Sequence, residues 1–332
     1  MDIIQGRPFM GRLLEKVKKF LASLGLEYDD GVEFSLCVED DEGAVVAAGS
    51  RQGPVLKCIG VSGAHQGEGL AATVVSELVS DGIRSGFSHL FVFTKPSNRA
   101  IFDDLGFFPM VQTADVLLME NRRGGVAKFV ESLECPVKEG VIGAVVVNCN
   151  PFTKGHQYLM ETAASQCDFL HIFVLSAEKS LFPAPLRLEM VKRGTAHLKN
   201  AAVHPTGDYL ISAATFPDYF LKERARVDDV KCELDLAIFA RCFAKPLNIT
   251  RRYVGTEPLS PVTNRYNEAM KSYLPRQGVQ VIEIPRREAQ GAPISATRVR
   301  ALLESGDLAN PLLLDLLPET TLELIRTKWK AL

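Results

Sequence analysis

Four consecutive residues near the middle of the chain bring different chemical groups together. Thr153 carries a hydroxyl, Lys154 an ammonium and His156 an imidazole, while Gly155 has no Cβ. They follow an apolar run at 142–147 that is typical of a buried strand, and good helix formers come after them. A helix N-terminus presents unsatisfied backbone N–H groups and a partial positive charge, which together attract phosphate. Thr153 and His156 can face one bound group, and Gly155 allows its close approach. The stretch predicts a phosphate site where His156 donates a hydrogen bond and Lys154 adds charge.

A second predicted helix begins with complementary chemistry. The segment PISATRVR, residues 293–300, is a Ser/Thr-rich turn followed by a helix that carries two arginines. Ser295 and Thr297 could do no more than cap this helix. In the same way, Thr153 could merely cap the first helix, and His156 could be an ordinary surface residue. In the functional interpretation the turn is a second phosphate-binding site, and the guanidinium of Arg300 donates hydrogen bonds to a leaving pyrophosphate.

These paired motifs resemble those of a known superfamily. TKGH at 153–156 and ISATRVR at 294–300 look like the (T/H)xGH and ISSTxxR motifs of nucleotidyltransferases, which act on the α-phosphate of a nucleoside triphosphate. Ala296 stands where many members have a second serine. The longer strings VNCNPFTKGHQYL, TFPDYFLKE, VGTEPLSPVTNRYN and PISATRVR resemble the citrate lyase ligase family over most of residues 141–305.

The resemblance implies a reaction and its participants. ATP and acetate would form acetyl adenylate with release of pyrophosphate. A thiol of the dephospho-coenzyme-A-derived group on the acyl carrier (gamma) subunit of citrate lyase would then take the acetyl group and release AMP. Carboxylate attack on phosphorus depends mainly on positioning and charge stabilisation. Mg²⁺ is expected to arrive with ATP, and no His/Cys/Asp cluster in the sequence predicts a metal held by protein alone.

The resemblance also implies which residues form the site. Catalytic roles fall to Thr153, Lys154, His156 and Arg300. Arg187 resembles a family arginine that reaches the phosphates, although an arginine on a helix is more often a solvated charge. The expected ATP contacts lie in or beside the motifs and in the loop that faces adenine and ribose: Asn148, Asn150, Phe152, Gly155, Gly255, Glu257, Ile294, Ser295 and Thr297.

The first part of the chain carries a different Gly-rich turn. Residues 60–78 are typical of a strand end, a turn and an amphipathic helix, and they lack both the GK(S/T) of a P-loop and GxGxxG. They match the QxxGxA turn of GNAT acetyltransferases, whose backbone amides hold the pyrophosphate of coenzyme A. SNRAIFDDLGF, residues 97–107, resembles the GNAT segment that flanks the pantetheine arm. The resemblance implies contacts to a coenzyme-A-like group from Gln66, Gly67, Gly69, Ala71 and Asn98.

Phe102 departs from the GNAT pattern. It stands where many GNAT enzymes have a tyrosine that protonates the leaving thiolate, and a phenylalanine has no proton to donate. We therefore expect the first domain to bind a coenzyme-A-like group, such as the prosthetic arm of the carrier, without transferring acetyl itself.

The elements around these motifs predict two domains. Residues 1–125 are expected to form a GNAT-like α+β domain, in which an amphipathic helix at 10–24 precedes strands at 34–38, 44–48, 55–61, 89–94 and 116–120. Residues 126–139 are a predicted connector. From 140 to 332, short apolar strands alternate with helices, which predicts an α/β domain with a doubly wound parallel sheet. In such a sheet ligands bind at the carboxyl ends of the strands, and the turn after Val147, which carries the first phosphate motif, is such a place.

Composition excludes several other classes of protein. Lys plus Arg total 38 against 40 Asp plus Glu among 332 residues, so no basic excess points to nucleic acid or an anionic membrane. No apolar run approaches the roughly 20 residues of a membrane helix. The seven cysteines include no CxxC pair and indicate reduced thiols of a cytoplasmic protein. The arginines of TRRY (250–253) and PRRE (285–288) are candidates for docking an acidic carrier, or else ordinary solvated charges.

Three alternative functions stay open at this point. The chain could be an acetate ligase for another acyl carrier, such as that of malonate decarboxylase. It could be a plain adenylyltransferase that makes a nucleotide cofactor, such as a phosphopantetheine adenylyltransferase, in which case AMP stays attached to the product. It could also be an N-acetyltransferase with an accessory nucleotide domain, which Phe102 disfavours.

Overall fold

The structure, a computed structural model, consists of two compact units. It describes residues 1–176, 180–210, 232–257, 261–307 and 309–328. Of these, residues 1–128 and 232–238 belong to the first unit, and the remainder belong to the second. The division after Lys128 falls inside the predicted connector.

The first unit has a seven-stranded sheet in the order β1-β2-β3-β4-β5-β7-β6. Its strands are β1 (Asp2–Gly6), β2 (Phe34–Glu39), β3 (Val45–Gln52), β4 (Val55–Val61), β5 (Phe91–Thr94), β6 (Phe108–Gln112) and β7 (Leu117–Glu120). Its helices are α1 (Gly11–Ser23), α2 (Leu70–Arg84) and α3 (Arg99–Asp104), and α4 (Gly125–Glu131) crosses the division. All five predicted strands and the α1 helix are confirmed.

The sequence did not reveal the two edge strands of this sheet. β1 is half-exposed along its length, so it lacks the apolar run that identifies a buried strand. β6 contains Pro109, which normally argues against a strand and is tolerated here because β6 forms the opposite edge. Both edge strands form because they are hydrogen-bonded to a neighbouring strand of the sheet, and not because of a local hydrophobic pattern.

β4 and β5 are parallel and are paired only at their beginnings. Val55 is opposite Phe91 and Leu56 is opposite Val92, with no further pairs between the two strands. Their carboxyl ends are therefore not hydrogen-bonded to each other. β4 continues toward the Gly-rich turn and β5 toward Asn98, so both predicted coenzyme-A motifs follow this divergence.

The second unit has a five-stranded sheet in which every neighbouring pair is parallel. The order is β10-β9-β8-β11-β12, formed by β8 (Ile142–Val147), β9 (Phe169–Val174), β10 (Ala201–Pro205), β11 (Ile249–Gly255) and β12 (Gln280–Ile284). A hairpin of β13 (Glu288–Ala289) and β14 (Ala292–Pro293) follows. The helices are α5 (Lys154–Ala164), α6 (Ala184–Gly194), α7 (Pro261–Tyr273), α8 (Ala296–Glu304), α9 (Leu312–Leu316) and α10 (Glu319–Lys328).

The predicted doubly wound sheet is confirmed, and its strand order defines where a ligand should bind. β9 and β10 lie on one side of β8, whereas β11 and β12 lie on the other. The crossovers thus reverse direction between β8 and β11, which leaves a crevice at the carboxyl ends of these two strands. Among the described residues, no helix is both long and apolar enough to cross a lipid bilayer.

Close packing fixes the segment between β8 and α5. Phe152 is fully buried in the core of the second unit together with residues of α6, α8 and the last two helices. A Cβ added to Gly194 would lie 2.2 Å from the Phe152 ring, so only a glycine lets α6 approach this closely. The ring of Phe152 therefore anchors the chain one residue before Thr153.

Two histidines are buried together in this sheet. His171 on β9 and His204 on β10 are joined by a 3.1 Å bond between Nδ1 and Nε2, with the Phe169 and Phe173 rings beside them. Burial, with a smaller contribution from His204, lowers the pKa of His171 to about 3. Burial, followed by the charge of Lys192, lowers the pKa of His204 to about 4. Both rings are therefore neutral near pH 7.

This pair should make the second unit sensitive to acid. Because each folded-state pKa lies below the unfolded value of 6.5, stability is fully present above that value and is lost as the pH falls toward the folded values. Between pH 7 and about pH 5 we expect the free energy of unfolding to fall by up to about 2 kcal/mol per histidine, measured by urea unfolding. The double variant His171→Leu, His204→Leu should have a shallower dependence on pH. An unchanged slope in that variant would show that the pair does not set the acid sensitivity.

Candidate active site

A cavity of about 1050 Å³ opens at the crevice between β8 and β11. Its walls come from the end of β8, the first turn of α5, the end of β11, the loop after β12 and the first turn of α8. The predicted site residues that line it are Thr153, Gly155, His156, Gly255, Glu257, Ile294, Ser295 and Thr297. Both predicted phosphate motifs thus face a single space.

The beginnings of α5 and α8 touch each other at this cavity. A Cβ added to Gly155 would lie 3.3 Å from the Ile294 carbonyl oxygen and 3.4 Å from the Ile294 Cβ. Arg300 Nη1 donates to the Asn150 carbonyl oxygen at 2.7 Å, and its Nη2 donates to Thr297 Oγ1 at 3.0 Å. The first turns of two helices, separated by about 140 residues of sequence, therefore lie side by side.

Both helices are capped by the residues that the sequence indicated. Thr153 Oγ1 accepts from the backbone N–H of His156 at 3.3 Å, and Ser295 Oγ accepts from the backbone N–H of Arg298 at 3.3 Å. Each cap satisfies one N–H of its first turn and leaves the others for a ligand. The capping and phosphate-binding interpretations of these residues are therefore compatible.

The side chain of His156 takes part in a reciprocal capping box. Its Nδ1 accepts from the backbone N–H of Thr153 at 3.1 Å and lies 2.9 Å from Thr153 Oγ1. A ring nitrogen that accepts from a backbone N–H carries no proton, so the proton of the neutral ring is on Nε2. None of the described residues is hydrogen-bonded to Nε2. His156 is thus oriented with a donor available to the cavity.

Burial keeps this imidazole neutral. Desolvation, with a smaller contribution from the positive charge of Arg286, lowers the pKa of His156 to about 4. The Phe152 ring stacks on it with centroids 6.1 Å apart and planes 18° apart. Near pH 7 His156 is therefore a neutral hydrogen-bond donor rather than a cation.

Arg187 is a buried structural residue and does not line the cavity. Its side chain is fully buried. Nη1 donates to the carbonyl oxygens of Asn148 and Leu175 and to Asn148 Oδ1, at 2.9, 2.8 and 2.7 Å, and Nε donates to the Phe182 carbonyl at 2.9 Å. It joins the ends of β8 and β9 to the start of α6 and so supports the turn that precedes Thr153.

Other predicted residues also lie behind the cavity wall. Asn148 is exposed on the turn, and its side chain bonds Arg187 and Ser180. Asn150 Oδ1 accepts from the Phe182 backbone N–H at 3.0 Å. Lys154 Nζ donates to the Leu314 carbonyl oxygen on α9 at 2.7 Å. Together with Arg300 and Phe152, these residues brace the two helix beginnings in this structure.

Arg286 lines the cavity, although the sequence indicated only a surface arginine there. Its Nε donates to the Thr256 carbonyl at 2.7 Å, its backbone N–H donates to Thr256 Oγ1 at 3.2 Å, and its Nη2 forms an ion pair with Glu257. One signal was available in the sequence: Arg286 comes two residues after β12, at the ligand-binding edge of a parallel sheet.

In the first unit, the predicted Gly-rich turn precedes α2. Gly67 and Gly69 have φ values of 90° and 78°, which favour glycine, and Gly69 occupies the N-cap without a side-chain hydrogen bond to the first turn. Gln66 is exposed beside them, and Ala71 lies in the first turn of α2. Asn98 Nδ2 donates to Thr94 Oγ1 at the end of β5, at 3.0 Å. Phe102 is buried and packs edge-on against Phe107.

Metal ligands do not cluster in the part of the chain that the structure describes. No group of three or more His, Cys, Asp or Glu side chains there could hold a metal ion.

Comparison with known proteins finds a matching family model and several similar proteins. Residues 142–325 match the family model described as the citrate lyase ligase C-terminal domain. The chain is 42% identical to the citrate (pro-3S)-lyase ligase of Klebsiella pneumoniae over 294 residues, which covers 87% of this chain and 86% of that one. It is 38% identical to the protein of the same name from Escherichia coli K12 over 320 residues, or 94% and 90% of the two chains. Among solved structures, Thermotoga maritima TmcAL bound with alpha-thio ATP matches at 13% identity and a TM-score of 0.41, over 57% of this chain and 56% of that one.

The buried role of Arg187 predicts a large effect on stability. Arg187→Met leaves three backbone carbonyls without their charged donor, and we expect a loss of about 3–5 kcal/mol in the free energy of unfolding, measured with urea. Arg193→Gln is the matched control, because Arg193 lies on the same helix and pairs with Glu189 at the surface. That control should change stability by less than about 1 kcal/mol. Equal effects of the two substitutions would contradict the structural role.

Proposed function

The chain belongs to the citrate lyase ligase family, and from this premise we propose that it activates acetate with ATP and transfers the acetyl group to the acyl carrier subunit of citrate lyase. It is an AMP-forming acid-thiol ligase. The observation that carries the proposal is the contact between the beginnings of α5 and α8 at one cavity, which offers two sets of backbone N–H groups to one triphosphate.

The first half-reaction joins an acetate oxygen to the α-phosphorus of ATP and breaks the bond to pyrophosphate. Negative charge accumulates on the phosphate oxygens, so neutral donors fixed in advance are more effective than mobile ones. His156 fits this role because its cap fixes the Nε2–H tautomer and its burial keeps the ring neutral. The first-turn N–H groups of α5 would hold the same phosphate.

The beginning of α8 would hold the departing pyrophosphate. Ser295 and Thr297 lie in its first turn at the cavity, next to Ile294. Arg300 and Lys154 would contribute mainly through their charge and by holding the helix beginnings in place, because their side chains donate to carbonyl oxygens and to a threonine. Mg²⁺ would enter with the triphosphate and balance part of its charge.

The second half-reaction needs access for a carrier thiol. We propose that the first unit receives the coenzyme-A-like arm of the carrier at the Gly67–Gly69 turn and between the diverging ends of β4 and β5. We also propose that Gln66, Ala71 and Asn98 contact this coenzyme-A-like arm. Helix α2 begins there without a side-chain cap, so its first N–H groups can bind a pyrophosphate.

The proposed reaction predicts products that depend on acetate. With the purified chain and hydroxylamine as the acetyl acceptor, AMP, pyrophosphate and acetohydroxamate should form from ATP only when acetate is present. Replacing His156 by Ala removes one donor to the phosphate and should lower this rate about 100- to 1000-fold.

His197→Ala is the control for this substitution. His197 belongs to the same unit, is half-exposed and pairs with Glu161 away from the cavity, so its loss should leave the rate unchanged. Formation of AMP and pyrophosphate without acetate, or attachment of AMP to another product, would contradict the ligase reaction.

The first unit should bind a coenzyme-A-like group without acetylating amines. Phe102 is buried in its core and has no acidic proton, so the full chain incubated with acetyl-coenzyme A and amines should give no acetylated amine at enzymatic rates by mass spectrometry. Gly69→Val should weaken binding of coenzyme A, because φ at that position disfavours a branched side chain. Gly53→Val, at another positive φ in the turn between β3 and β4, is the control. Rapid amine acetylation would overturn this assignment.

A further inference from the structure

Arg286 is the cavity residue that best combines positive charge with a fixed position. Its backbone N–H and its Nε are both hydrogen-bonded to Thr256, and its Nη2 is paired with Glu257, whose side chain is 8% exposed. The first bond holds the backbone, and the other two restrain a side chain that is otherwise long and flexible. None of the described residues accepts a hydrogen bond from Nη1. The guanidinium thus retains donors on the side of the cavity.

The other arginines of the cavity are engaged differently. The Arg252 guanidinium is buried 4.4 Å above the Phe239 ring. Arg298 Nη1 faces the carbonyl oxygens of Ala289 and Pro293 in the hairpin, at 3.5 and 3.4 Å. Arg287 is exposed. Arg286 and His156 line the same cavity, and the positive charge of Arg286 contributes to lowering the pKa of His156.

Resting on the proposed function, we propose that Arg286, held by Thr256 and Glu257, binds the phosphate chain of ATP opposite the beginning of α5. The guanidinium is a planar fork that matches two phosphate oxygens, and it keeps its charge at any physiological pH. It would supply a cationic donor, which the neutral His156 does not. The cavity then combines backbone donors and a neutral imidazole on one wall with a cation on the other.

The test is the affinity of a nonhydrolysable ATP analogue, measured by calorimetry without acetate. Arg286→Gln should weaken binding about 10- to 100-fold, because it removes charge-assisted hydrogen bonds. Arg286→Lys keeps the charge without the fork and should lie between this variant and the unchanged chain. Arg276→Gln, an exposed arginine just before β12, is the matched control and should bind normally.

Two further readouts separate a direct contact from a general structural effect. In steady-state assays Arg286→Gln should raise the KM for ATP and leave the KM for acetate nearly unchanged. In histidine NMR of the free chain it should raise the pKa of His156, because a neighbouring positive charge is removed.

Analogue affinity within about two-fold of the unchanged chain in a folded Arg286→Gln variant would overturn the inference. A change in the KM for acetate alone would overturn it as well. If the unchanged chain binds the analogue but forms no acetate-dependent pyrophosphate, the proposed function fails while the assignment of Arg286 can still be tested by binding.

Discussion

The hydrogen bond from Arg300 Nη1 to the Asn150 carbonyl, 2.7 Å long, joins two residues that are 150 positions apart in the chain. Together with the contact between Gly155 and Ile294, it places the first turn of α8 against the first turn of α5. A single helix N-terminus attracts an anion weakly, because its partial charge is about half an elementary charge. Two of them at one cavity can hold a chain of phosphates at two points. The catalytic proposal depends on this pairing of helix beginnings.

The residues behind the cavity wall explain how this arrangement is maintained. Fully buried Arg187 ties together the ends of two strands and the start of α6, and Phe152 fills the space that Gly194 leaves open. Thr153 and His156 cap α5 reciprocally, and this cap also determines which imidazole nitrogen carries the proton. Local folding and the proposed chemistry therefore depend on the same bonds. A substitution in this region is expected to affect stability and catalysis together.

Much of the fold could be predicted because its signals are local. Buried parallel strands are continuous apolar runs and their helices begin at recognisable caps, so the parallel sheet of the second unit and the capping roles of Thr153 and Ser295 followed from sequence. The edge strands β1 and β6 did not, since partial exposure in one and a proline in the other conceal them. Their pairing is a tertiary effect.

Part of the cavity lining could be predicted for the same reason. Motif spacing identified residues at the two helix beginnings that line the cavity, but it could not tell which arginine lines it. The sequence alone does not distinguish the roles of Arg187 and Arg286. Burial among carbonyl oxygens makes the first structural, whereas anchoring by Thr256 and Glu257 directs the second toward the cavity. Such distinctions depend on contacts between residues far apart in the chain.

The most direct measurement is an experimental structure of the chain with a nonhydrolysable ATP analogue bound. The account predicts phosphate oxygens within about 3 Å of His156 Nε2 and of backbone N–H groups at the beginnings of both α5 and α8. A triphosphate that contacts only one of these helix beginnings, or that binds outside this cavity, would contradict it.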